Sequence, residues 1–251
     1  MNILVIGEQT NLQECRQKFG EKHEYSWVEE HRDAEKFLQS NSLVFDFIVD
    51  EEPHQFQIYC ERSTKVFLNT CKVSLGELVH LVDEPPKSKI FGFNGLPTFL
   101  NRDVLEVCLW NEEDLPDLKK ICEELKTEFL LVDDRIGLVT PRVICMIINE
   151  AYYTAQDGTA TRSDIDMAMK LGTNYPYGPF EWCQRIGVRH VYELIEALYA
   201  DTQDERYKIC PLLKKEYLKR LMWAPFCVHS PQHIFSALDQ FGTSRDHRTD
   251  E

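Results

Sequence analysis

The sequence predicts an α/β region followed by an all-helical region, and two patterns support that prediction. In the first 134 residues, short apolar runs rich in β-branched and aromatic residues alternate with polar, helix-forming segments. From residue 138 onward, apolar residues recur at helical spacing instead. We therefore predict domains at 1–134 and 138–223, with a polar, partly disordered tail at 224–251. The chain has 251 residues, 43% of them apolar, which is enough for two modest cores.

The α/β region contains seven predicted strands. Helical segments are predicted at 11–19, 34–38 and 115–125. Alternation of strands and helices is typical of an open α/β sheet of Rossmann type, so we expect that fold for the first domain. The strands are predicted at 3–6, 25–29, 44–49, 65–68, 89–93, 104–110 and 129–132.

The helical region opens with a hairpin between residues 137 and 188. Thr140 is placed to cap the first helix, and Gly158 to end it, because glycine adopts the left-handed C-terminal conformation at little cost. Ser163 and Asp166 have the spacing of a capping box for the second helix. One face of the first helix is apolar and must be buried. That face carries Val143, Ile144, Ile147, Ile148, Ala151, Tyr152 and Ala155.

Composition excludes several classes of function. A formal charge of −14 opposes binding to nucleic acid or to an anionic membrane, since both require a basic surface. No run of eighteen apolar residues and no secretory signal occur, so we expect a cytoplasmic protein. The nine cysteines are scattered, without a C-x-x-C pair or a Cys/His cluster. We therefore expect reduced thiols and no metal site.

The hairpin contains the motifs Asn149-Glu150-Ala151, Gly158, Ile165-Asp166-x-Ala168-Met169, Gly172 and Gly178-Pro179-Phe180. In these motifs it resembles the C-terminal domain of the 3-hydroxyacyl-CoA dehydrogenase family. The resemblance covers about fifty residues in register and implies a helical domain of the 6-phosphogluconate dehydrogenase C-terminal type. It also implies an NAD-binding Rossmann domain, oxidation of short 3-hydroxyacyl-CoA substrates, and a homodimer formed through the C-terminal helices. A monomer whose helices fold back onto the sheet is the alternative.

The cofactor site implied by the resemblance is incomplete. Of the phosphate-binding pattern G-x-G-x-x-G only Gly7 remains. Glu29, at the end of the second strand, is placed to accept from a ribose 2′-hydroxyl, although an acid at a strand end is more often simply solvated. Asn69 matches a strand-end motif near the nicotinamide. NAD is thus possible by resemblance, but six acids at the strand ends oppose a dinucleotide: Glu8, Glu29, Glu30, Asp50, Glu51 and Glu52.

The catalytic centre implied by the resemblance is altered. Glu106 keeps the place of the catalytic glutamate, and Asn94 the place of a substrate-binding asparagine. Phe91 stands where the family has its histidine, and a phenyl ring cannot carry a proton. Pro141 stands where the family has an asparagine, and Cys71 replaces a serine. General acid–base catalysis is worth ~10²–10⁴-fold, so this loss is large.

The spacing within this centre also differs from the family pattern. From position 91 to Glu106 it is fifteen residues instead of twelve, which implies three inserted residues around 100–103. His54 and His80 lie in no matching motif, so neither replaces the missing base. Two functions stay open. The first is an NAD-linked oxidoreductase with a substitute base, and the second is a non-catalytic module that binds acyl-CoA or dimerises.

Overall fold

The computed structural model describes residues 1–223, so the predicted tail at 224–251 lies outside the described residues. Its first half is a seven-stranded sheet with strand order β2-β1-β3-β4-β5-β6-β7. All neighbouring strands are parallel except β5 and β6, which are antiparallel. The strands are β1 (Asn2–Ile6), β2 (Glu24–Val28), β3 (Leu43–Asp46), β4 (Lys65–Asn69), β5 (Lys89–Phe93), β6 (Val104–Leu109) and β7 (Glu128–Leu131).

Helices connect the strands and then form the second half of the chain. Short 3-10 helices occupy Pro53–Tyr59, Glu112–Asp114 and Glu205–Tyr207. The predicted fold class is confirmed: a Rossmann-like, mostly parallel sheet precedes an all-helical region. The α-helices are α1 (Gln9–Phe19), α2 (His31–Leu38), α3 (Leu75–His80), α4 (Leu115–Leu125), α5 (Thr140–Gln156), α6 (Arg162–Thr173), α7 (Pro179–Ile186), α8 (Val188–Thr202) and α9 (Pro211–Trp223).

The third strand ends earlier than its apolar run predicts, and Asp46 is the reason. Its Oδ1 accepts hydrogen bonds from the backbone N–H groups of Ile48 (3.1 Å) and Val49 (3.0 Å), which turn the chain out of the sheet. Its Oδ2 accepts from the Tyr59 hydroxyl and lies 2.8 Å from His31 Nε2. A buried acid with four partners therefore ends β3 and fixes the following loop.

Side chains from the two faces of the sheet form two separate cores. On one face, against α1 and α4, aromatic rings from adjacent strands stack, with Phe45 and Phe67 4.8 Å apart between centroids. The opposite face packs aliphatic side chains against α2 and α3. Because side chains alternate along a strand, neighbouring residues of one strand point into different cores.

Two helix starts differ from the prediction. Helix α5 already includes Thr140, and Val139 is its N-cap. Helix α6 begins at Arg162, where the Thr161 hydroxyl accepts from the Asp164 N–H at 3.2 Å, so Ser163 lies inside the helix. Gly158 does follow α5 with a φ of 71°, as predicted for a helix end. Within residues 1–223, no helix has both the length and the apolar character needed to cross a bilayer.

Candidate functional site

The chain reverses direction across the sheet between β1 and β3, where open α/β sheets usually bind ligands. Gly7 lies there, at the end of β1. A Cβ on Gly7 would be 2.7 Å from Asn11 Oδ1 and 3.1 Å from Phe47 Cβ. Asn11 Oδ1 accepts from the Glu8 N–H at 2.8 Å, and Trp27 Nε1 donates to the Gly7 carbonyl at 2.8 Å. The backbone groups of this turn are therefore bonded to side chains of the same chain.

Glu29 and Asn69 lie in contrasting environments. Glu29 is exposed in the turn after β2. Asn69 is buried at the end of β4, where its Nδ2 donates to the Phe47 carbonyl and to Asp50 Oδ2, both at 3.0 Å. Its Oδ1 accepts from the Gly95 N–H at 3.1 Å. The Asn69 amide thus ties together the loops that follow β3, β4 and β5.

Cys71 and Asn94 meet at the same edge of the sheet. The Cys71 thiol donates to Asn94 Oδ1 at 3.3 Å, and the Leu96 N–H lies at the same distance from that oxygen. Burial raises the pKa of the Cys71 thiol well above its usual range, so it remains a neutral, weak donor. The sheet topology therefore brings together Asn69, Cys71 and Asn94, as their positions at strand ends predict.

Phe91 is fully buried in the core that packs against α1 and α4. Its ring lies 5.1 Å from that of Phe67 between centroids. Leu105 and Val107 belong to the same core, and side chains alternate along a strand, so Glu106 between them faces the other way. Phe91 and Glu106 are therefore directed to opposite faces of the sheet.

The Glu106 carboxylate is bound to the start of α5. Glu106 Oε1 accepts from the Thr140 N–H at 3.0 Å and from the Thr140 hydroxyl, and Oε2 accepts from the Val139 N–H at 3.2 Å. A carboxylate at a helix N-terminus satisfies orphan donors and interacts favourably with the helix dipole. Glu106 consequently serves as a cap contributed from another part of the chain.

A cavity of about 260 Å³ lies beside Glu106. Its walls combine aliphatic side chains with one aromatic ring, one amide, one hydroxyl, one guanidinium and the Glu106 carboxylate. The Arg102 guanidinium lies 4.3 Å from the centroid of the Phe99 ring. Apart from Glu106, the cavity is lined by Asn94, Phe99, Arg102, Val104, Leu105, Leu130 and Thr140. Two of the predicted site residues, Asn94 and Glu106, thus share one cavity.

Comparison with known proteins assigns the helical region of the chain to a family. Residues 137–221 match the model for the 3-hydroxyacyl-CoA dehydrogenase C-terminal domain. A probable 3-hydroxybutyryl-CoA dehydrogenase from Bacillus subtilis is 31% identical over 161 residues, covering 64% of this chain and 56% of the relative. The helical region of this chain therefore belongs to the family of 3-hydroxyacyl-CoA dehydrogenase C-terminal domains.

Other family members are similar over different spans. The 3-hydroxyadipyl-CoA dehydrogenase of Escherichia coli is 43% identical over 89 residues, covering 36% of this chain and 19% of the relative. The crystal structure of (S)-3-hydroxybutyryl-CoA dehydrogenase from Ralstonia eutropha has a TM-score of 0.64 at 16% identity, covering 87% of this chain and 94% of the other. That structure supports the shared fold, whereas the alignments to the first relatives span just over half of their length or less.

The family motifs of the helical hairpin make structural contacts. Asp166 Oδ1 accepts from the Phe180 N–H at 2.8 Å, and Oδ2 accepts from the Glu181 N–H at 3.3 Å, so Asp166 caps α7. A Cβ on Gly178 would collide with the Asp166 carboxylate. Asn149 donates to the Lys208 carbonyl and accepts from the Cys210 N–H, both at 2.9 Å. These family residues hold the helices of the 3-hydroxyacyl-CoA dehydrogenase C-terminal domain together.

A charged cluster joins the sheet edge to α8. Two of its acids, Asp50 and Glu51, were expected at the strand ends, but sequence reasoning missed their cationic partners. The Lys72 side chain is only 7% exposed, and its Nζ lies 3.8 Å from Asp50, 3.4 Å from Glu51 and 3.0 Å from Glu193. Arg189 adds contacts of 2.8 Å to Glu51 and Glu193. The nearby acids hold the pKa of Lys72 above its usual value despite burial. The cluster therefore contains a charged lysine that links the two halves of the fold.

Two titratable groups in this cluster are shifted by burial. Burial raises the pKa of Asp50 to about 7, and it lowers the pKa of His190 to about 4. His190 also lies near Glu51 and Glu193 in an arrangement that metals sometimes use. Both carboxylates are already paired with Lys72 and Arg189, so a metal would have to displace two cations.

Proposed function

We propose that this protein is a family member that has lost hydride transfer and binds the acyl part of an acyl-CoA in the cavity beside Glu106. The observation that carries the proposal is that Phe91 and Glu106, which stand at the two implied catalytic positions, lie on opposite faces of the sheet. Phe91 is packed in the sheet core, and Glu106 caps α5 on the other face. Residue 91 therefore offers no proton acceptor, and Glu106 is not placed to orient one there.

The turn after β1 supports the loss of NAD binding. A pyrophosphate needs close approach to the backbone and free N–H donors at the start of the following helix. Here Asn11 occupies the Glu8 N–H, and the Glu8 side chain adds negative charge at the same helix start. Glu29 provides a possible ribose contact but no compensating positive charge. These residues do not fit a dinucleotide.

Pro141 supports the same conclusion from the helical side. It is buried in the first turn of α5, where its missing N–H costs nothing. The resemblance places a catalytic asparagine at this position, and proline offers neither a donor nor an acceptor on its side chain. We propose that the position now serves only to start the helix.

The cavity beside Glu106 favours an acyl-CoA ligand. Asn94 and Glu106 keep their family positions and line the cavity together. The related proteins of Bacillus subtilis and Escherichia coli are named for acyl-CoA substrates. We propose that this chain binds the same class of molecule without oxidising it, and that it acts in the cytoplasm.

A homodimer through the helical region is part of the proposal. The exposed apolar side chains include Val139 and Val143 at the start of α5, and Met167 and Leu171 on α6. The prediction that Val143 lies on the buried face of its helix is therefore wrong. Pairing across a two-fold axis would bury these side chains. Sedimentation analysis tests this: a dimer that dissociates when Leu171 is replaced by glutamate supports it, and a monomeric wild-type protein contradicts it.

Dehydrogenase activity is the alternative function. It is favoured by Asn94 and Glu106, which line one cavity. Calorimetric titration separates the two functions. We expect heat of binding with acetoacetyl-CoA and none with NADH at millimolar concentration. Tight NADH binding would contradict the proposed loss of the cofactor, and absence of heat with acetoacetyl-CoA would contradict acyl-CoA binding.

A further inference from the structure

The segment between β5 and β6 is longer than the family pattern, and it supplies one wall of the cavity. Two contacts anchor this segment to α1. The Thr98 N–H donates to Glu14 Oε1 at 2.8 Å, and the Lys18 ammonium donates to the carbonyls of Arg102 and Asp103. The backbone that carries Arg102 is therefore fixed by the sheet domain itself.

The Arg102 guanidinium lacks a hydrogen-bond acceptor among residues 1–223. It is half-buried, stacks on the Phe99 ring and lines the cavity. Burial lowers the pKa of Arg102, which the neighbouring Glu106 partly offsets. The Glu106 oxygens are already bonded to the start of α5. A partly desolvated cation with open donors remains at the cavity wall.

The remaining walls fit a short carbon chain. Val104, Leu105 and Leu130 are aliphatic. Asn94 faces the same space. Its Oδ1 accepts two hydrogen bonds, whereas its Nδ2 has no acceptor among residues 1–223. Drug-sized ligands occupy roughly 300–1,000 Å³. At about 260 Å³, the cavity is large enough for an acyl group but not for a whole coenzyme A.

We infer that this cavity selects a short acyl group ending in a carboxylate, which Arg102 binds. A guanidinium matches a carboxylate with two parallel hydrogen bonds, and partial burial strengthens such pairs. The Asn94 amide nitrogen offers a further donor, and the aliphatic walls contact the methylene groups. This inference rests on the proposed acyl-CoA binding and adds the chemical group at the far end of the acyl chain, a carboxylate.

Calorimetry with glutaryl-CoA and pentanoyl-CoA tests the inference, because their acyl chains have equal carbon counts and differ in the terminal carboxylate. We expect the wild-type protein to bind glutaryl-CoA at least roughly tenfold more tightly. Arg102→Met is expected to weaken glutaryl-CoA roughly tenfold to hundredfold and pentanoyl-CoA less than about threefold. Arg102→Lys keeps the charge and should retain part of the preference, even if the Met variant folds poorly.

Arg185→Met is the matched control, since Arg185 also stacks on an aromatic ring, 3.9 Å from the centroid of Tyr177. It should leave the preference for glutaryl-CoA unchanged. Equal wild-type affinities for the two ligands would overturn the inference and leave acyl-CoA binding intact. Failure of both ligands to bind would overturn the inference together with the proposed function.

Discussion

The helical hairpin keeps most of the motifs that the resemblance rests on, whereas two positions of the implied catalytic centre hold other residues. In the hairpin, Asp166 and Asn149 bond to backbone groups of neighbouring segments, so any replacement leaves buried donors or acceptors unpaired. Phe91 in β5 and Pro141 in α5, by contrast, fill positions where the resemblance implies side chains that act on a ligand. A residue with backbone partners is constrained by folding, whereas a residue with a ligand partner is free to change once that ligand is not used.

The largest expected effect comes from the charged cluster that joins the two regions. Lys72→Met removes the buried cation that faces Asp50, Glu51 and Glu193. Arg189 still pairs with Glu51 and Glu193, but Asp50 loses its cation. Removing one partner of a buried ion pair costs about 3–5 kcal/mol, so the free energy of unfolding in urea should fall by about that amount. Lys36, an exposed lysine paired with Asp33, is the control, and Lys36→Met should change stability by no more than about 0.5 kcal/mol. Equal effects of the two variants would show that the cluster does not hold the regions together.

Placing histidine at position 91, inside β5, is the next largest test. Phe91→His places an imidazole in an apolar core, which should cost about 3 kcal/mol or more in urea unfolding. We expect no NADH oxidation by this variant, because residue 91 faces away from Glu106. Phe91→Leu, which keeps the site apolar, should cost less than about 1.5 kcal/mol. Measurable turnover by the histidine variant would place residue 91 in a working site.

The two capping carboxylates allow a direct comparison of the regions. Glu106→Ala and Asp166→Ala each remove a half-buried carboxylate from a helix start, α5 and α7 respectively. Each should lower the free energy of unfolding by about 1–2 kcal/mol. Glu112→Ala removes an exposed acid and serves as the control. If only Asp166→Ala destabilises the protein, then Glu106 has no structural role and the contrast between the regions is weaker.

The smallest expected effect is a pH dependence caused by Asp50. Its pKa is about 7 in the folded protein and near 3.8 when unfolded, so between these values the folded state binds more protons. Stability should therefore fall as pH rises through this window, by about 1 kcal/mol between pH ~6 and ~7. Asp50→Asn should lack this decline, whereas the opposite contribution of His190 is present in both proteins. Parallel stability curves for the two proteins from thermal or urea unfolding would contradict the assignment.

Much of the fold was predictable because it follows from local patterns. Apolar runs predict the strands, and apolar residues at helical spacing predict α5 and the helices after it. The end of β3 was not predictable, since Asp46 stops the strand through its own hydrogen bonds. The predicted cap of α6, Ser163, is wrong. Thr161 and Ser163 each precede an aspartate by three residues, and sequence alone does not choose between them.

The candidate site was predictable in position but not in its contacts. The topology alone brings Gly7, Asn69 and Asn94 to one edge of the sheet. The bonds from Glu106 to the start of α5, and from Lys72 to Glu193, join side chains that are 34 and 121 residues apart. Such contacts depend on how the two halves of the fold pack, and they leave no periodicity in the sequence.

The loss of hydride transfer is tested most directly by following NADH absorbance with acetoacetyl-CoA and the wild-type protein. Because Glu106 caps α5 and Phe91 is confined to the sheet core, we expect oxidation at the rate of the enzyme-free background. Turnover that rises in proportion to protein concentration, and that falls in a folded Glu106→Gln variant, would contradict this account.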